Sequence, residues 1–355
     1  MLLPTLPLWA SLLAFCLCAG AIWVAGIFLS NYTDVLSDRL HLGVALGGLI
    51  LLAVATNLPE IAITITAALN GHLDVAVSNI LGGIAIQTVV LVALDGFGVR
   101  VRRPLTYQAA SLRLVLEGAV VVAVLAVVVM GAQLPRTAIA FRLTPDVIAI
   151  AAVWVAGLVL TQRAAKLPWQ NNGNAPESQP EPRGHSALKR AAGATTRGVS
   201  TRKALGVFGA AALVTLVAGA LLEESGVQAA DHVGLSGVLF GATVLAAATS
   251  LPELSTGLTA VRSADYQLAF GDIFGGNAFL PVLLLLATVI SGKAVLPNSH
   301  NSDIYLTALG ALLTIIYMAG LVFRPARQHA RLGLDSIAVV SVYVLGVIGL
   351  AALPS

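Results

Sequence analysis

The hexapeptide Ala55-Thr56-Asn57-Leu58-Pro59-Glu60 returns 193 residues later as Ala248-Thr249-Ser250-Leu251-Pro252-Glu253. With the same offset, Ile80-Leu81-Gly82-Gly83 falls on Ile273-Phe274-Gly275-Gly276. Matches between apolar segments are common by chance, but a Thr-x-Leu-Pro-Glu followed at a fixed distance by Gly-Gly is not. The sequence therefore predicts an internal duplication, with repeats at about 41–94 and 233–290.

The composition around these repeats is that of a membrane protein. Of 355 residues, 57% are hydrophobic and only 10% are charged, whereas soluble domains carry roughly 25% charged residues. Apolar windows of about 20 residues recur along the chain, and each is long enough to cross the bilayer core. We predict an all-α membrane protein with about ten transmembrane helices, near 8–29, 41–69, 75–94, 110–131, 145–162, 204–222, 233–262, 264–290, 303–322 and 334–353.

The distribution of basic residues predicts the sidedness of the chain. Residues 163–203 are rich in proline, small polar and basic residues, and they separate two halves, 1–162 and 204–355, of five helices each. Successive loops are predicted to lie on alternate sides of the membrane, and the loops on one side contain 17 Lys and Arg residues whereas those on the other contain 3. Short basic loops stay in the cytoplasm. We therefore expect a cytoplasmic linker at 163–203, both termini outside, and two repeats of inverted topology. The short loops suggest a prokaryotic plasma (inner) membrane.

Each repeat carries one carboxylate inside an apolar helix, Glu60 in the first and Glu253 in the second. An ionised carboxylate at the bilayer centre costs at least a few kcal/mol, and no Lys or Arg lies at comparable depth in these helices. The preceding prolines remove a helical hydrogen bond, which frees the carbonyls of Ala55 and Ala248. Carboxylate, hydroxyl and carbonyl oxygens are the ligands that hard cations prefer, so a cation site near the bilayer midplane is predicted.

Other polar side chains accompany the two glutamates. They are the residues of the two hexapeptides, Thr56, Asn57, Thr249 and Ser250, and those of the glycine-containing segments, Asn79, Asp272 and Asn277. Asn79 and Asp272 are equivalent by the offset, and either could donate an oxygen or hold a glutamate in place. Asp272 could also occupy a partly wet position near the entrance.

At these residues the sequence resembles the calcium/cation antiporter superfamily, the sodium/calcium exchanger-like membrane proteins. Members have two inverted repeats with a (Thr/Ser)-Ser-x-Pro-Glu motif, followed by a Gly-Asn-x-x-Gly-Ser-Asn-like motif. The resemblance implies that Glu60 and Glu253 are the central cation ligands, assisted by Thr56 and Thr249, and that the first and sixth helices form the moving gate. It covers both repeats and the ten-helix layout.

The chain departs from the superfamily pattern at four positions. Gly83 and Gly276 replace serines, and Gln87 and Leu280 stand where a further Asn or Asp is usual. These changes leave fewer oxygen ligands, although Gln87 still offers an amide oxygen, and we count it among the predicted ligands. With fewer oxygen ligands, the ratio of exchanged ions that is usual in the superfamily need not apply to this chain.

The function predicted from these features is secondary antiport, in which Ca²⁺ exchanges for Na⁺ or H⁺ by alternating access. Another monovalent or divalent exchange is the alternative. An intramembrane hydrolase is disfavoured, because Asp272 has no aspartate counterpart in the other repeat and all six histidines fall at predicted helix ends or loops. A passive channel stays open as a third hypothesis.

We expect no cofactor and no nucleic-acid partner. The expected partners are inorganic cations and the lipid bilayer, with a monomer as one option for the oligomeric state. Glu223, Glu224 and Asp231 are expected in an outer loop before the seventh helix, where they would attract cations or be solvated.

Overall fold

The computed structural model describes residues 3–39, 55–99, 103–109, 111–136, 140–164 and 200–353. Fourteen α-helices occur in this part of the chain. In order they are α1 Leu8–Arg39, α2 Leu58–Asn70, α3 Leu73–Ala93, α4 Leu105–Ala109, α5 Leu112–Gly131, α6 Pro145–Ala164, α7 Thr201–Val233, α8 Gly237–Leu239, α9 Ala246–Thr249, α10 Leu251–Arg262, α11 Tyr266–Phe279, α12 Leu283–Ser291, α13 Asn301–Phe323 and α14 Leu334–Ala352.

Shorter elements interrupt or connect these helices. π-Helical turns cover Leu94–Gly98, directly after α3, and Phe240–Leu245, between α8 and α9. A 3₁₀ turn at Leu280–Val282 joins α11 to α12. The strands β1 (Gln328–His329) and β2 (Leu332–Gly333) form a small antiparallel hairpin before α14.

The prediction of an all-α membrane protein is confirmed. Among the described residues, eight helical stretches are long and apolar enough to span a membrane, and the bent pair 237–262 adds a ninth. Leu58–Asn70 is a shorter apolar helix, and most of the first part of the predicted span 41–69 lies outside the described residues. The predicted linker also lies outside them, except where α6 and α7 extend into it. The count of ten therefore stays a prediction.

Two predicted boundaries are wrong. The first helix continues to Arg39, although its apolar span, Leu8–Leu29, is the predicted one. The helix predicted at 204–222 extends to Val233, so Glu223, Glu224 and Asp231 are helical and do not lie in a loop. The helix continues through the glutamates because Glu, Gln and Ala are good helix formers, and it ends where Gly234 takes a left-handed conformation with φ 70°.

The predicted helix breaks before the two glutamates are present. In the first repeat the backbone leaves the helix at Asn57 and α2 starts at Leu58, with Pro59 in its first turn. In the second repeat the break falls at Ser250, where the pair 237–249 and 251–262 bends by 42°. Proline is tolerated in the first turn of a helix because its missing N–H has no helical partner there. Each motif therefore starts a new helix.

Close backbone packing surrounds these breaks. A Cβ at Gly82 of α3 would overlap the Ala242 Cα, and one at Gly241 would overlap the Ser78 hydroxyl oxygen. Helix α3 therefore touches the π-helical turn 240–245 backbone to backbone, which only glycine permits. The long helices α1 and α7 pack along each other, and they also cover the broken segments, α1 on α10 and α7 on α2.

Candidate cation-binding site

Glu60 and Glu253 are both buried, with 0% and 2% of their surface exposed. Each is the third residue of a helix that starts at the break, and this places it at the positive end of the helix dipole. Among the described residues, none of the four carboxylate oxygens has a hydrogen-bond partner at standard geometry, and neither glutamate forms an ion pair. Two buried carboxylates without a protein counter-charge need another source of positive charge.

The two glutamates lie within electrostatic range of each other. The carboxyl groups of Glu60 and Asp272 both lie near the Glu253 carboxyl group. The Thr249 hydroxyl, from the second repeat, faces the Glu60 carboxylate, but in this conformation it donates to the Ala246 carbonyl oxygen at 3.2 Å. The two hexapeptides are therefore brought together from opposite halves of the chain.

Hydroxyl groups at the second break turn back onto their own helix. The Ser250 hydroxyl donates to the Ala246 carbonyl oxygen at 2.7 Å, and the Ser250 N–H donates to the same oxygen at 3.1 Å. Because Pro252 has no N–H, the Ala248 carbonyl receives no bond from the position four residues on. The same holds for Ala55 and Pro59 in the first repeat.

Side-chain amides are a further feature of the site. The Asn57 and Gln87 amides both lie beside Gly276, where a Cβ would be 3.6 Å from the Asn57 Nδ2 and 3.5 Å from the Gln87 Oε1. Asn277 donates through its Nδ2 to the Thr88 hydroxyl at 3.1 Å and to the Ile84 carbonyl at 3.3 Å. The Asn277 Oδ1 and both amide atoms of Gln87 are buried without a partner among the described residues. These amides supply oxygen atoms but no charge.

Two contacts between the halves of the chain correspond to each other under the 193-residue offset. Gly83 of the first repeat faces Leu280 of the second, while Gly276 of the second faces Gln87 of the first. The positions that depart from the superfamily pattern therefore meet in pairs. Because glycines replace the two serines, the pair Gly83–Leu280 is apolar, and the pair Gly276–Gln87 has one polar group, the Gln87 amide.

The predicted ligands fall into two groups by exposure. Those that are buried are Ala55, Thr56, Asn57, Glu60, Asn79, Gln87, Ala248, Thr249, Ser250, Glu253 and Asn277. Asp272 is only half-buried and accepts a hydrogen bond from the Thr256 hydroxyl at 2.9 Å. Both amide atoms of the Asn79 side chain are buried without a hydrogen-bond partner among the described residues, and its backbone nitrogen lies against Gly241. Their roles as ligands stay predictions.

Three threonines near the site are absent from the predicted ligand set. Thr256 connects Asp272 to the helix of Glu253, Thr88 holds Asn277, and the buried Thr64 hydroxyl has no partner among the described residues. Thr64 could have been found from the sequence, because it lies four residues after Glu60 and so on the same helix face. The described residues contain no group of three His, Cys, Asp or Glu side chains able to hold a metal. Any cation here would also need hydroxyl, amide or carbonyl oxygens.

Long apolar helices around buried, uncompensated carboxylates define an integral membrane protein with a polar centre. The sequence profile described as sodium/calcium exchanger protein matches residues 10–162 and 203–351, which is most of the chain. The chain therefore belongs to the sodium/calcium exchanger family, within the calcium/cation antiporter superfamily, whose members are cation exchangers. The resemblance found in the two hexapeptides is thereby confirmed.

Individual relatives agree with this assignment. The chain is 26% identical over 326 residues to the inner membrane protein YrbG of Escherichia coli (strain K12), covering 89% of this chain and 92% of YrbG. The crystal structure of the H⁺/Ca²⁺ exchanger CAX matches with a TM-score of 0.69 at 14% identity, covering 97% and 82% of the two chains. The sodium-calcium exchanger NCX_Mj matches with a TM-score of 0.57 at 15% identity, covering 98% and 100%. The two structures share the fold of this chain.

Proposed function

We propose that this protein is a secondary antiporter that exchanges Ca²⁺ for Na⁺ or H⁺ at a site formed by Glu60 and Glu253. The observation that carries the proposal is the pair of buried carboxylates without a hydrogen-bond partner or counter-charge in the described residues. One Ca²⁺, two Na⁺ or two H⁺ would each neutralise two glutamates. Ions that satisfy the same charge compete for the same site, which is the basis of exchange.

Alternating access supplies the second part of the mechanism. Inverted repeats typically bind substrate at their interface and rock or slide one bundle against the other. Here α1 and α7 pack on each other and across the broken segments. We propose that the α1–α7 pair moves against α2, α3, α10 and α11, so that the glutamates face one side of the membrane at a time. The name of YrbG supports placement in a prokaryotic inner membrane.

The identity of the coupling ion is the open choice within this proposal. The family profile is that of sodium/calcium exchangers, whereas the structural match with the higher TM-score is to an H⁺/Ca²⁺ exchanger. Burial of two carboxylates with no counter-charge among the described residues suits protons as well as Na⁺. An exchange of other divalent or monovalent cations is the alternative function.

Transport by purified protein in liposomes tests the proposal. We expect ⁴⁵Ca²⁺ uptake driven by an imposed Na⁺ gradient or H⁺ gradient, and the gradient that works identifies the coupling ion. Glu60→Gln and Glu253→Gln should each lower uptake at least about tenfold, because each removes one of the two charges that bind the ion. Asp231→Asn, an exposed carboxylate on α7, is the matched control. Unchanged flux in both glutamine variants would refute the proposal.

A further inference from the structure

The last turns of α7 carry carboxylates that contact the turn between α2 and α3. The Glu223 Oε1 lies 2.8 Å from the His72 Nδ1, and the Glu223 side chain is fully buried. The Glu224 Oε1 accepts a hydrogen bond from the Asn70 Nδ2 at 3.2 Å. These two contacts join the end of α7 to the end of the helix that carries Glu60.

The same end of α7 also holds the segment before α1. Glu224, Gln228 and His232 are spaced four residues apart, so they lie on one face of the helix. They bond to the backbone of residues 3–6: the Leu3 N–H donates to the Glu224 Oε2 at 2.8 Å, the Leu6 N–H donates to the Gln228 Oε1 at 2.8 Å, and the His232 Nε2 lies 2.9 Å from the Leu6 carbonyl. This face ties α1 and α7 into one unit.

An apolar cluster lies on the same side of the molecule. Ile22 of α1, Leu222 of α7, Ile63 of α2 and Val75 of α3 pack together with Phe240 of the π-helical turn. Apolar contacts between two packed units allow sliding more readily than directed polar bonds, because they have no fixed geometry. The polar contacts of Glu223 and Glu224 are therefore the ones that define a single position of α7 against α2 and α3.

We infer that the contacts Glu223–His72 and Glu224–Asn70 form a latch that holds the α1–α7 unit against the α2–α3 turn and so favours one access state of the carrier. The inference rests on the proposed function, because it needs the α1–α7 unit to move. The residues before α1, the α2–α3 turn and the end of α7 meet at one end of the molecule, the end predicted to be outside. The latch therefore closes access to the glutamate site from the side predicted to be outside.

A cation site in this cluster is the competing interpretation. The described residues contain no group of three acidic, histidine or cysteine side chains arranged to hold a metal. The Glu223 Oε1, the His72 Nδ1 and both Glu224 oxygens are already engaged with protein groups, which leaves the buried Glu223 Oε2 as the one carboxylate oxygen of these two glutamates without a hydrogen-bond partner among the described residues. The contacts are therefore those of a structural link between two moving parts.

Sided transport measurements test the latch. Glu223→Ala removes the carboxylate that contacts His72, and Asp231→Ala removes an exposed carboxylate from the same helix as a matched control. Loss of the latch releases the outer end, so the apparent KM for Ca²⁺ should fall about fivefold at the outer face and rise at the inner face. The control should match wild type at both faces. A fall in Vmax alone, equal at both faces with KM unchanged, would show a merely structural role and overturn the inference.

A double variant and hydrogen exchange make the result specific. His72→Ala combined with Glu223→Ala should shift KM no further than either change alone, because each change removes the same contact; additive shifts would contradict the latch. Hydrogen exchange of the full-length protein in nanodiscs should be faster around 66–76 and 220–233 in Glu223→Ala than in the Asp231→Ala control. Equal hydrogen exchange in the two variants would overturn the latch, whether or not the wild type transports cations. A wild-type protein that transports no cation would instead refute the proposed function.

Discussion

Replacing Gly219 by alanine tests how closely α7 approaches the broken helix of the first repeat. A Cβ at Gly219 would lie 2.8 Å from the Ala62 Cβ and 3.2 Å from the Pro59 carbonyl oxygen. Carbon atoms in favourable contact are about 3.5–4.0 Å apart, so the two helices must separate by roughly 1 Å. Overpacking of this kind costs about 1–3 kcal/mol. A glycine-to-alanine change in a helix otherwise gains up to about 1 kcal/mol.

Gly209, ten residues earlier on the same helix, is the matched control, because nothing lies within 4 Å of its added Cβ. Gly209→Ala should be neutral or stabilising, and Gly219→Ala should be about 1–3 kcal/mol less stable than the control. Apparent melting temperatures of the two purified variants in the same detergent measure the difference. Gly26→Ala should behave like Gly219→Ala, since its Cβ would lie 2.9 Å from the Pro252 Cβ. Equal melting temperatures for Gly219→Ala and Gly209→Ala would refute the close approach.

Three further predictions concern polar groups. Asp95→Ala should destabilise the protein by about 3 kcal/mol or more, measured as loss of monodisperse protein on heating, because the Asp95 carboxylate accepts three buried hydrogen bonds, one of them from the Ser336 hydroxyl. Thr256→Val should raise the KM for Ca²⁺ severalfold without loss of folded protein, because it releases Asp272 near Glu253; an unchanged KM would contradict this. Gln87→Glu adds a buried charge beside the site, so Ca²⁺ should raise its melting temperature more than that of wild type; equal shifts would argue against Gln87 as part of the site.

The spans and the helix breaks could be predicted from the sequence because they depend on local properties. A run of about 20 apolar residues has few alternatives to a spanning helix, and Pro59 and Pro252 cannot donate the bond that a continuous helix needs. The burial of Glu60 and Glu253 followed from their position within these runs. Membership in the exchanger family followed from the doubled motif and is confirmed.

The end of α7 could not be predicted, because it depends on distant contacts. Two adjacent glutamates after an apolar run are typical of the water interface, and this pattern predicts a loop at Glu223 and Glu224. Their partners, His72 and Asn70, lie about 150 residues earlier, and no local pattern connects them. The contact between Gly276 and Gln87 could not be predicted for the same reason. Equivalence of positions between the two repeats does not indicate which residues of one repeat touch the other.

The start of a helix at each Pro-Glu pair has an energetic consequence for the unloaded carrier. A helix N-terminus stabilises a nearby carboxylate by about 0.3–1 kcal/mol, and up to ~2 kcal/mol when partly buried. Burying that carboxylate at the bilayer centre costs about 2.5–3.5 kcal/mol on the most lenient scale. The peptide dipoles therefore offset part of the cost of burying the charges of Glu60 and Glu253 but do not cancel it. On the proposed mechanism, this residual charge penalises the conformational switch of an empty protein, which suppresses leak and makes exchange obligatory.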